Sequence, residues 1–138
     1  MNGPCHIIVM AKAPVAGYAK TRLIPALGAQ GAAGLAMRLL VHALAQAQQA
    51  GLGPVELCCA PTARDAAFAP WAGAAGITLT DQGEGDIGER MERALQRGLS
   101  AQPTVLLIGT DAPALGAGVL RAAAAALETH DVVFVPAF

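Results

Sequence analysis

The sequence is short of acids in its first part, of lysine and of serine, and it has no long uninterrupted hydrophobic run. Ser100 is the one serine, which excludes the serine nucleophile elbow of hydrolases. No stretch of about 18 apolar residues runs free of charged or turn residues, as a membrane span requires. The first residues also lack the basic-then-apolar pattern of a signal peptide. We therefore expect a cytoplasmic protein with no membrane partner.

Cysteine is scarce as well, and its spacing fits neither a metal site nor a disulfide framework. Cys5, Cys58 and Cys59 are odd in number, two are adjacent, and all lie in or beside apolar runs. The three histidines share no metal-binding spacing either. The pattern predicts buried free thiols and histidines with structural roles.

The chain has 138 residues, 54% of them hydrophobic and 14% charged, which predicts a single domain over residues 1–138. Charge is uneven along it. Residues 1–55 carry no acid and four cations, which are Lys12, Lys20, Arg22 and Arg38. The remainder of the chain carries a net charge of −5. Duplex nucleic acid rewards broad basic faces, so we expect no nucleic-acid partner and instead a small anion such as a polyphosphate.

Short apolar runs alternate with longer alanine- and leucine-rich segments, which is typical of β-α-β units. The runs are continuous rather than alternating, as in strands that are covered on both faces. Predicted strands span residues 5–11, 55–60, 77–80, 105–108 and 132–135, and predicted helices span 31–50, 64–75, 87–99 and 119–127. The fold class is therefore α/β, with a mostly parallel, Rossmann-like sheet in three α/β/α layers. Binding loops are expected at the carboxyl ends of the strands, after residues 11, 60, 80, 109 and 135.

The loop after the first predicted strand concentrates positive charge. Lys12, Lys20 and Arg22 lie within eleven residues, together with Gly17, which lets backbone approach a ligand. Three cations can neutralise a diphosphate through charge-assisted hydrogen bonds. A solvated basic loop is the alternative. Neither a Walker A motif nor a dinucleotide-binding glycine motif is present, which excludes those two nucleotide-binding classes.

A glycine-rich turn precedes the third predicted helix. Asp86 can cap this helix, and Glu89 can complete a capping box. The glycines beside the helix N-terminus also offer backbone against which a sugar or base could lie. Both interpretations remain open from the residues alone.

Asp111 follows the fourth predicted strand directly. A carboxylate in the crevice above a parallel sheet can bind Mg²⁺, which in turn bridges phosphate oxygens. The alternative is an aspartate that hydrogen-bonds its own turn before Pro113.

These three segments together resemble motifs of the DUF2064 family of GT-A-like transferases, which are relatives of nucleotide-diphospho-sugar transferases and of molybdenum-cofactor and F420 nucleotidyltransferases. Residues 11–23 read A-K-x-P-x-x-G-x-x-K-T-R-L, residues 82–91 read Q-G-x-G-D-x-G-x-R-M, and residues 109–113 read G-T-D-x-P. The resemblance extends over essentially the whole chain. One departure is a single acid, Asp111, where GT-A enzymes have a D-x-D pair. Another is that the family's P-A-x-D-G-G-Y-x-L segment is represented only by residues 136–138.

The resemblance implies a GT-A fold and a glycosyltransferase that moves a sugar from a nucleotide-diphospho-sugar to an unknown acceptor, with the acceptor part of the fold lacking. It implies that the first loop contacts the base and phosphates and that Asp111 holds Mg²⁺ or Mn²⁺. The predicted nucleotide- and phosphate-binding residues are Ala11, Lys12, Gly17, Lys20, Thr21, Arg22, Gly85, Asp86 and Arg90. No catalytic residue is assigned.

Two other functions stay open beside this one: nucleotidyl transfer, and nucleotide or partner binding without catalysis. We also expect a homo-oligomer, because the last predicted strand would leave a free edge and apolar surface.

Overall fold

Four parallel strands form the centre of the molecule. The computed structural model describes residues 4–136. Its strands are β1 (Cys5–Lys12), β2 (Val55–Ala60), β3 (Ile77–Asp81) and β4 (Thr104–Ile108), and they lie in the order β3-β2-β1-β4. All three strand pairings are parallel. The predicted α/β class and the predicted parallel sheet are confirmed.

Three helices flank this sheet: α1 (Ile24–Ala50), α2 (Ile87–Ala101) and α3 (Ala117–Ala126). Helix α1 begins earlier than predicted, and its first turn is offset by Gly28, whose φ of 73° and ψ of 164° are not helical. It ends as predicted, because Gly51 takes the left-handed conformation that closes many helices and donates its N–H to Gln48 O.

Alternate residues of β1 face opposite layers. Ile7, Val9 and Ala11 pack with α1 and α3 in the larger core, whereas Ile8 packs with Cys58 and Ala94 of α2 on the other side. Because side chains alternate across a strand, one strand contributes to both cores. The result is the predicted three-layer α/β/α arrangement, and it explains why the strand reads as a continuous apolar run.

Two predicted elements are wrong. Residues 132–135 form no strand, although they are apolar, because no neighbouring strand in the described chain pairs with them; Phe134 is 88% exposed. The predicted helix over 64–75 is reduced to a short 3₁₀ segment, Ala66–Trp71. Pro70 cannot donate a backbone hydrogen bond, and Gly73 has a positive φ, so a regular helix cannot continue.

Helix α1 also has a composition that membrane helices share. Within the described residues, Thr21–Ala50 is long and apolar enough to cross a membrane by length and composition alone. In this fold its Leu40, Leu44 and Ala47 are buried in the core shared with β1 and β2. These apolar side chains therefore already have packing partners within the chain.

A buried polar cluster joins the sheet to α2. Glu56, the second residue of β2, is only 4% exposed. Its carboxylate accepts hydrogen bonds from Thr80 Oγ1 at 2.8 Å and from Arg97 Nη2 of α2, and it lies 3.0 Å from His6 Nε2. Buried charges need such partners because burial without them is costly. The cluster therefore fixes α2 against three strands.

Candidate functional site

A cavity of about 780 Å³ opens at the carboxyl ends of the strands. Segments that follow β1, β3 and β4 line it, together with residues of α1 and α2. Parallel strands direct their carboxyl ends to one edge of the sheet, so segments far apart in sequence meet there. Within the described chain, neither the segment after β2 nor residues 132–136 contribute to this lining, although both were predicted positions for binding loops.

The cavity brings together most of the predicted site residues. Those that line it are Ala11, Lys12, Lys20, Thr21, Arg22, Gly85, Arg90 and Asp111. Gly17 and Asp86 do not line it. For these two residues, contact with a nucleotide stays a prediction that the cavity does not support.

The loop after β1 turns back on itself before it reaches the cavity. Val15 O accepts hydrogen bonds from the backbone N–H groups of Tyr18 and Ala19, both at 3.0 Å. Gly17 has a φ of 84°, so its value to the loop is this left-handed turn. Lys12 Nζ lies 4.8 Å from the centre of the Tyr18 ring, a cation–π distance that restrains the lysine.

Lys20 has an unusual backbone for its residue type. Its φ of 52° and ψ of 43° lie in the left-handed region, which residues with a Cβ rarely adopt. It directly precedes the 3₁₀ segment Thr21–Leu23, which leads into α1. Such backbone conformations cluster at functional sites, where the surrounding structure holds them in place.

Lys20 and Asp111 form an ion pair across the cavity. Lys20 Nζ donates to Asp111 Oδ1, and the two residues follow the neighbouring strands β1 and β4. The lysine side chain is 21% exposed and the aspartate side chain 78%. Lys20 is therefore held by the loop, while most of the Asp111 carboxylate faces solvent.

The charge of the lining favours an anion. Lys12, Lys20, Arg22 and Arg90 line the cavity, and among its described lining residues Asp111 is the one acid. The remaining wall includes apolar residues of the two helices: Ala36 and Leu40 from α1, and Ile87 and Met91 from α2. A ligand with a polyphosphate and a flat or apolar part would match both parts of this surface.

Asp86 serves the helix rather than the cavity. Its Oδ1 accepts a hydrogen bond from Glu89 N at 2.9 Å, and Glu89 Oε1 accepts one from Asp86 N at 3.2 Å. This reciprocal capping box satisfies backbone donors at the start of α2. The structural interpretation of Asp86 is therefore the one that its contacts support.

Comparison with known proteins identifies the family of this chain. The sequence model of DUF2064, described as "Uncharacterized protein conserved in bacteria", matches residues 43–138. This chain belongs to the DUF2064 family. No functionally curated protein matches it significantly.

A solved structure extends the comparison to the fold of this DUF2064 chain. The crystal structure of a proposed nucleotide-diphospho-sugar transferase from Desulfovibrio desulfuricans G20 is similar, with a TM-score of 0.79 and 25% sequence identity. The match covers 90% of the present chain and 54% of the other chain. The DUF2064 chain thus spans about half the length of that relative, with the same α/β fold.

Gln82 is a site residue that sequence reasoning missed. Its side chain, in a residue only 6% exposed, donates to Ala11 O and Cys58 O, both at 3.2 Å, and its Oε1 accepts from Arg90 Nη1 at 3.3 Å. It thereby ties the end of β1 to Arg90 beneath the cavity. Its position at the start of the Q-G-x-G-D motif was the sequence feature that could have identified it. A neutral glutamine outside any charged cluster gives no other indication of a site.

Arginines of α2 hold the glycine-rich turn of the DUF2064 chain. Arg90 Nε donates to Gly85 O at 2.9 Å, and Arg93 donates to Gln82 O at 2.6 Å and to Glu84 O at 2.9 Å. Gly83 has a φ of 80°, in the left-handed region that favours glycine, and a Cβ there would also lie 2.6 Å from Arg93 Nη1. The motif therefore shapes the cavity floor as well as lining it.

The lining residues could hold a metal ion only if a bound ligand supplied some of the coordinating oxygens. Among residues 4–136 no group of three or more His, Cys, Asp or Glu side chains could hold a metal ion. Mg²⁺, however, is commonly bound by one or two carboxylates together with substrate phosphates and water. Asp111 can fill that limited role.

Proposed function

We propose that this chain is a nucleotide-diphospho-sugar transferase of GT-A type, a glycosyltransferase that binds its donor in the cavity at the strand ends. The observation that carries the proposal is the convergence of Lys12, Lys20, Arg22 and Arg90 on one cavity. These cations come from two separate segments, so their meeting is a property of the fold. The name of the Desulfovibrio relative supports the same class of donor.

In this proposal the cations act on the leaving group. Breaking the bond between the sugar and the diphosphate builds negative charge on the departing nucleoside diphosphate. Lys20, Arg22 and Arg90 would stabilise that charge from fixed positions, which is the usual way in which enzymes lower such barriers. Lys12, restrained over Tyr18, would add to the same field.

Asp111 would hold Mg²⁺ or Mn²⁺ together with the phosphates. A bound divalent ion would supply Lewis-acid stabilisation of the diphosphate. The carboxylate would provide one oxygen ligand, while its partner Lys20 would contact phosphate oxygens. We propose no acceptor and no catalytic base.

Binding without catalysis is the alternative that one observation favours. Asp111 is the one carboxylate in the described lining, and the proposal uses it to hold the metal, so the described lining offers no second carboxylate as a base for an acceptor hydroxyl. A nucleotide-binding module would need only the cations.

The first prediction is that Lys20→Ala and Arg22→Ala each weaken binding of a nucleoside diphosphate much more than binding of the nucleoside. Each lost charge-assisted hydrogen bond contributes roughly 1.5–3 kcal/mol, or about one to two decades in affinity. Isothermal titration with uridine, guanosine and their diphosphates measures the difference. Arg38→Ala is the matched control, because Arg38 is exposed on α1 and lies outside the cavity lining.

Equal losses for nucleoside and nucleoside diphosphate would contradict the proposed role of the loop cations. Product analysis then separates the functions. Release of nucleoside diphosphate from a sugar nucleotide supports the glycosyltransferase. Release of pyrophosphate from a nucleoside triphosphate would indicate a nucleotidyltransferase, and binding without either product would indicate the non-catalytic module.

A further inference from the structure

Lys20 contacts one carboxylate oxygen of Asp111, the residue proposed to hold a divalent cation. Its ammonium group donates to Oδ1, and four-fifths of its side chain is shielded from solvent although the carboxylate is largely exposed. An ammonium ion and a metal ion both seek carboxylate oxygen, so they compete when they approach the same atom. The pair therefore bears directly on metal binding.

We propose that Lys20 is an exchangeable counterion of Asp111 that couples metal binding to diphosphate binding. This inference rests on the proposed function. Without ligand, Lys20 neutralises Asp111 and weakens its affinity for metal. When a diphosphate enters, the lysine ammonium transfers its hydrogen bonds to phosphate oxygens, and Asp111 becomes free to bind a divalent ion that also contacts the phosphates.

The exchange makes the two ligands help each other. A diphosphate that draws Lys20 away raises the affinity of Asp111 for metal, and by linkage the metal raises the affinity for diphosphate by the same factor. Phosphate oxygens would add to this coupling if they also served as metal ligands. The contribution of Lys20 alone can be isolated in the protein without nucleotide, where no phosphate is present.

Lys12 provides a matched control because it differs from Lys20 in one respect. Both lysines line the cavity and carry one charge. Lys12 Nζ, however, lies over the Tyr18 ring, 4.8 Å from its centre, whereas Lys20 Nζ contacts Asp111. Removing Lys12 lowers the positive potential of the cavity without freeing the carboxylate.

The experiment is a Mn²⁺ titration of the nucleotide-free protein, followed by paramagnetic broadening of the amide NMR signals of Gly109 and Thr110. Exposed ion pairs contribute little, so we expect Lys20→Met to bind Mn²⁺ about two- to fivefold more tightly than the parent. Lys12→Met should change the affinity by about 1.5-fold or less at about 0.15 M salt, where screening weakens distant charges. Lys20→Arg keeps the cation and should show no gain.

The double variant Lys20→Met with Asp111→Asn tests whether the gain depends on the carboxylate. Loss of the gain in this variant supports the exchange. Equal gains in Lys20→Met and Lys12→Met would overturn it, because the effect would then be general electrostatics. An unchanged affinity in Lys20→Met would overturn it as well, and the NMR spectrum of each variant reports whether it is folded.

Failure here is distinguishable from failure of the proposed function. If no variant shows broadening at Gly109 or Thr110, Asp111 is not the metal ligand and the exchange is wrong. The nucleoside diphosphate titrations contain no metal and still decide whether the cavity cations bind a diphosphate.

Discussion

Glu56 shows at the level of one residue how this fold keeps a charge inside. Burial raises the pKa of its carboxyl group, but hydrogen bonds from Arg97, His6 and Thr80 outweigh burial, so that the pKa lies below its ordinary value of 4.5. A carboxyl group with a lowered pKa stabilises the folded state above its unfolded pKa, and this contribution is lost as pH falls through the folded pKa.

We therefore expect Glu56→Gln to lower the free energy of unfolding by about 2 kcal/mol at pH 7, since charged hydrogen bonds are replaced by neutral ones. The difference from the parent should shrink as pH falls below 4.5, where the unfolded parent binds a proton, and should be lost below the folded pKa, where the folded carboxylate is protonated too. Urea unfolding at neutral pH and at about pH 3 measures both effects. Glu92→Gln, on the exposed side of α2, is the control; an equal loss in that variant would argue against the buried pair.

Some residue environments were predictable and others were not. The three cysteines are free and buried, as their apolar neighbours predict, and burial raises the pKa of Cys59 to about 12. The cationic residues of the first loop were predictable from their density. Gln82 was not, because its importance comes from contacts with β1 and β2 that only the folded sheet brings about.

Helix α2 illustrates the limits of pattern at the level of an element. Its apolar residues Ile87, Met91 and Leu99 recur at helical spacing, yet all three are exposed in the described structure. The buried positions are instead Ala94 and Gly98. The sheet side of α2 needs small residues and paired arginines, so hydrophobic periodicity locates the helix but not its inward face.

Gly98 allows α2 to approach the sheet. A Cβ at this position would lie 2.9 Å from Val105 Cγ2 and 3.1 Å from Ile8 Cδ1. Gly118 of α3 has open space around the same position. Both substitutions to alanine gain helix propensity, but only that at Gly98 causes overpacking.

We expect Gly98→Ala to be less stable than Gly118→Ala by about 1–3 kcal/mol, the usual cost of an extra methyl group in a packed interface. Both variants replace a helical glycine by alanine, so the difference between their stabilities mainly reports the packing cost at Gly98. Thermal or urea unfolding of the two variants measures this difference. Equal stabilities would mean that α2 can move away from β4 at little cost.

The predicted strands also show what sequence pattern can and cannot reveal. Four of the five predicted strands exist, because a continuous apolar run between turn residues is a strong signal for a buried parallel strand. The run at 132–135 has the same composition but no pairing partner, which sequence pattern cannot reveal.

At the level of the whole molecule, one edge of the sheet is incompletely covered. Every residue of the edge strand β4 is only partly buried. A second cavity of about 700 Å³ lies at this edge, lined by β4, α2, α3 and residues 130–135, with Leu99 in its lining. Unpaired strand edges and exposed apolar patches favour association with another chain.

We propose that two copies of this chain associate through this edge, and we expect light scattering at micromolar concentration to show a homodimer or larger oligomer. Leu99→Glu should shift the protein towards the monomer because it places a charge in the apolar contact. Val41→Glu, at an exposed position of α1 outside the lining of this cavity, should leave the mass unchanged. A parent protein that is monomeric throughout the concentration range would refute the association.

The left-handed backbone of Lys20 has a consequence for any attempt to make this protein more robust. A residue with a Cβ gives up roughly 1–2 kcal/mol in that conformation, and glycine would recover it. Selection for heat resistance alone would thus favour glycine at this position and would remove the ammonium group from the cavity. Stability favours glycine at this position, whereas the proposed binding of phosphate needs the lysine ammonium group. A thermostable homologue that keeps lysine here would therefore indicate that the residue is retained for activity.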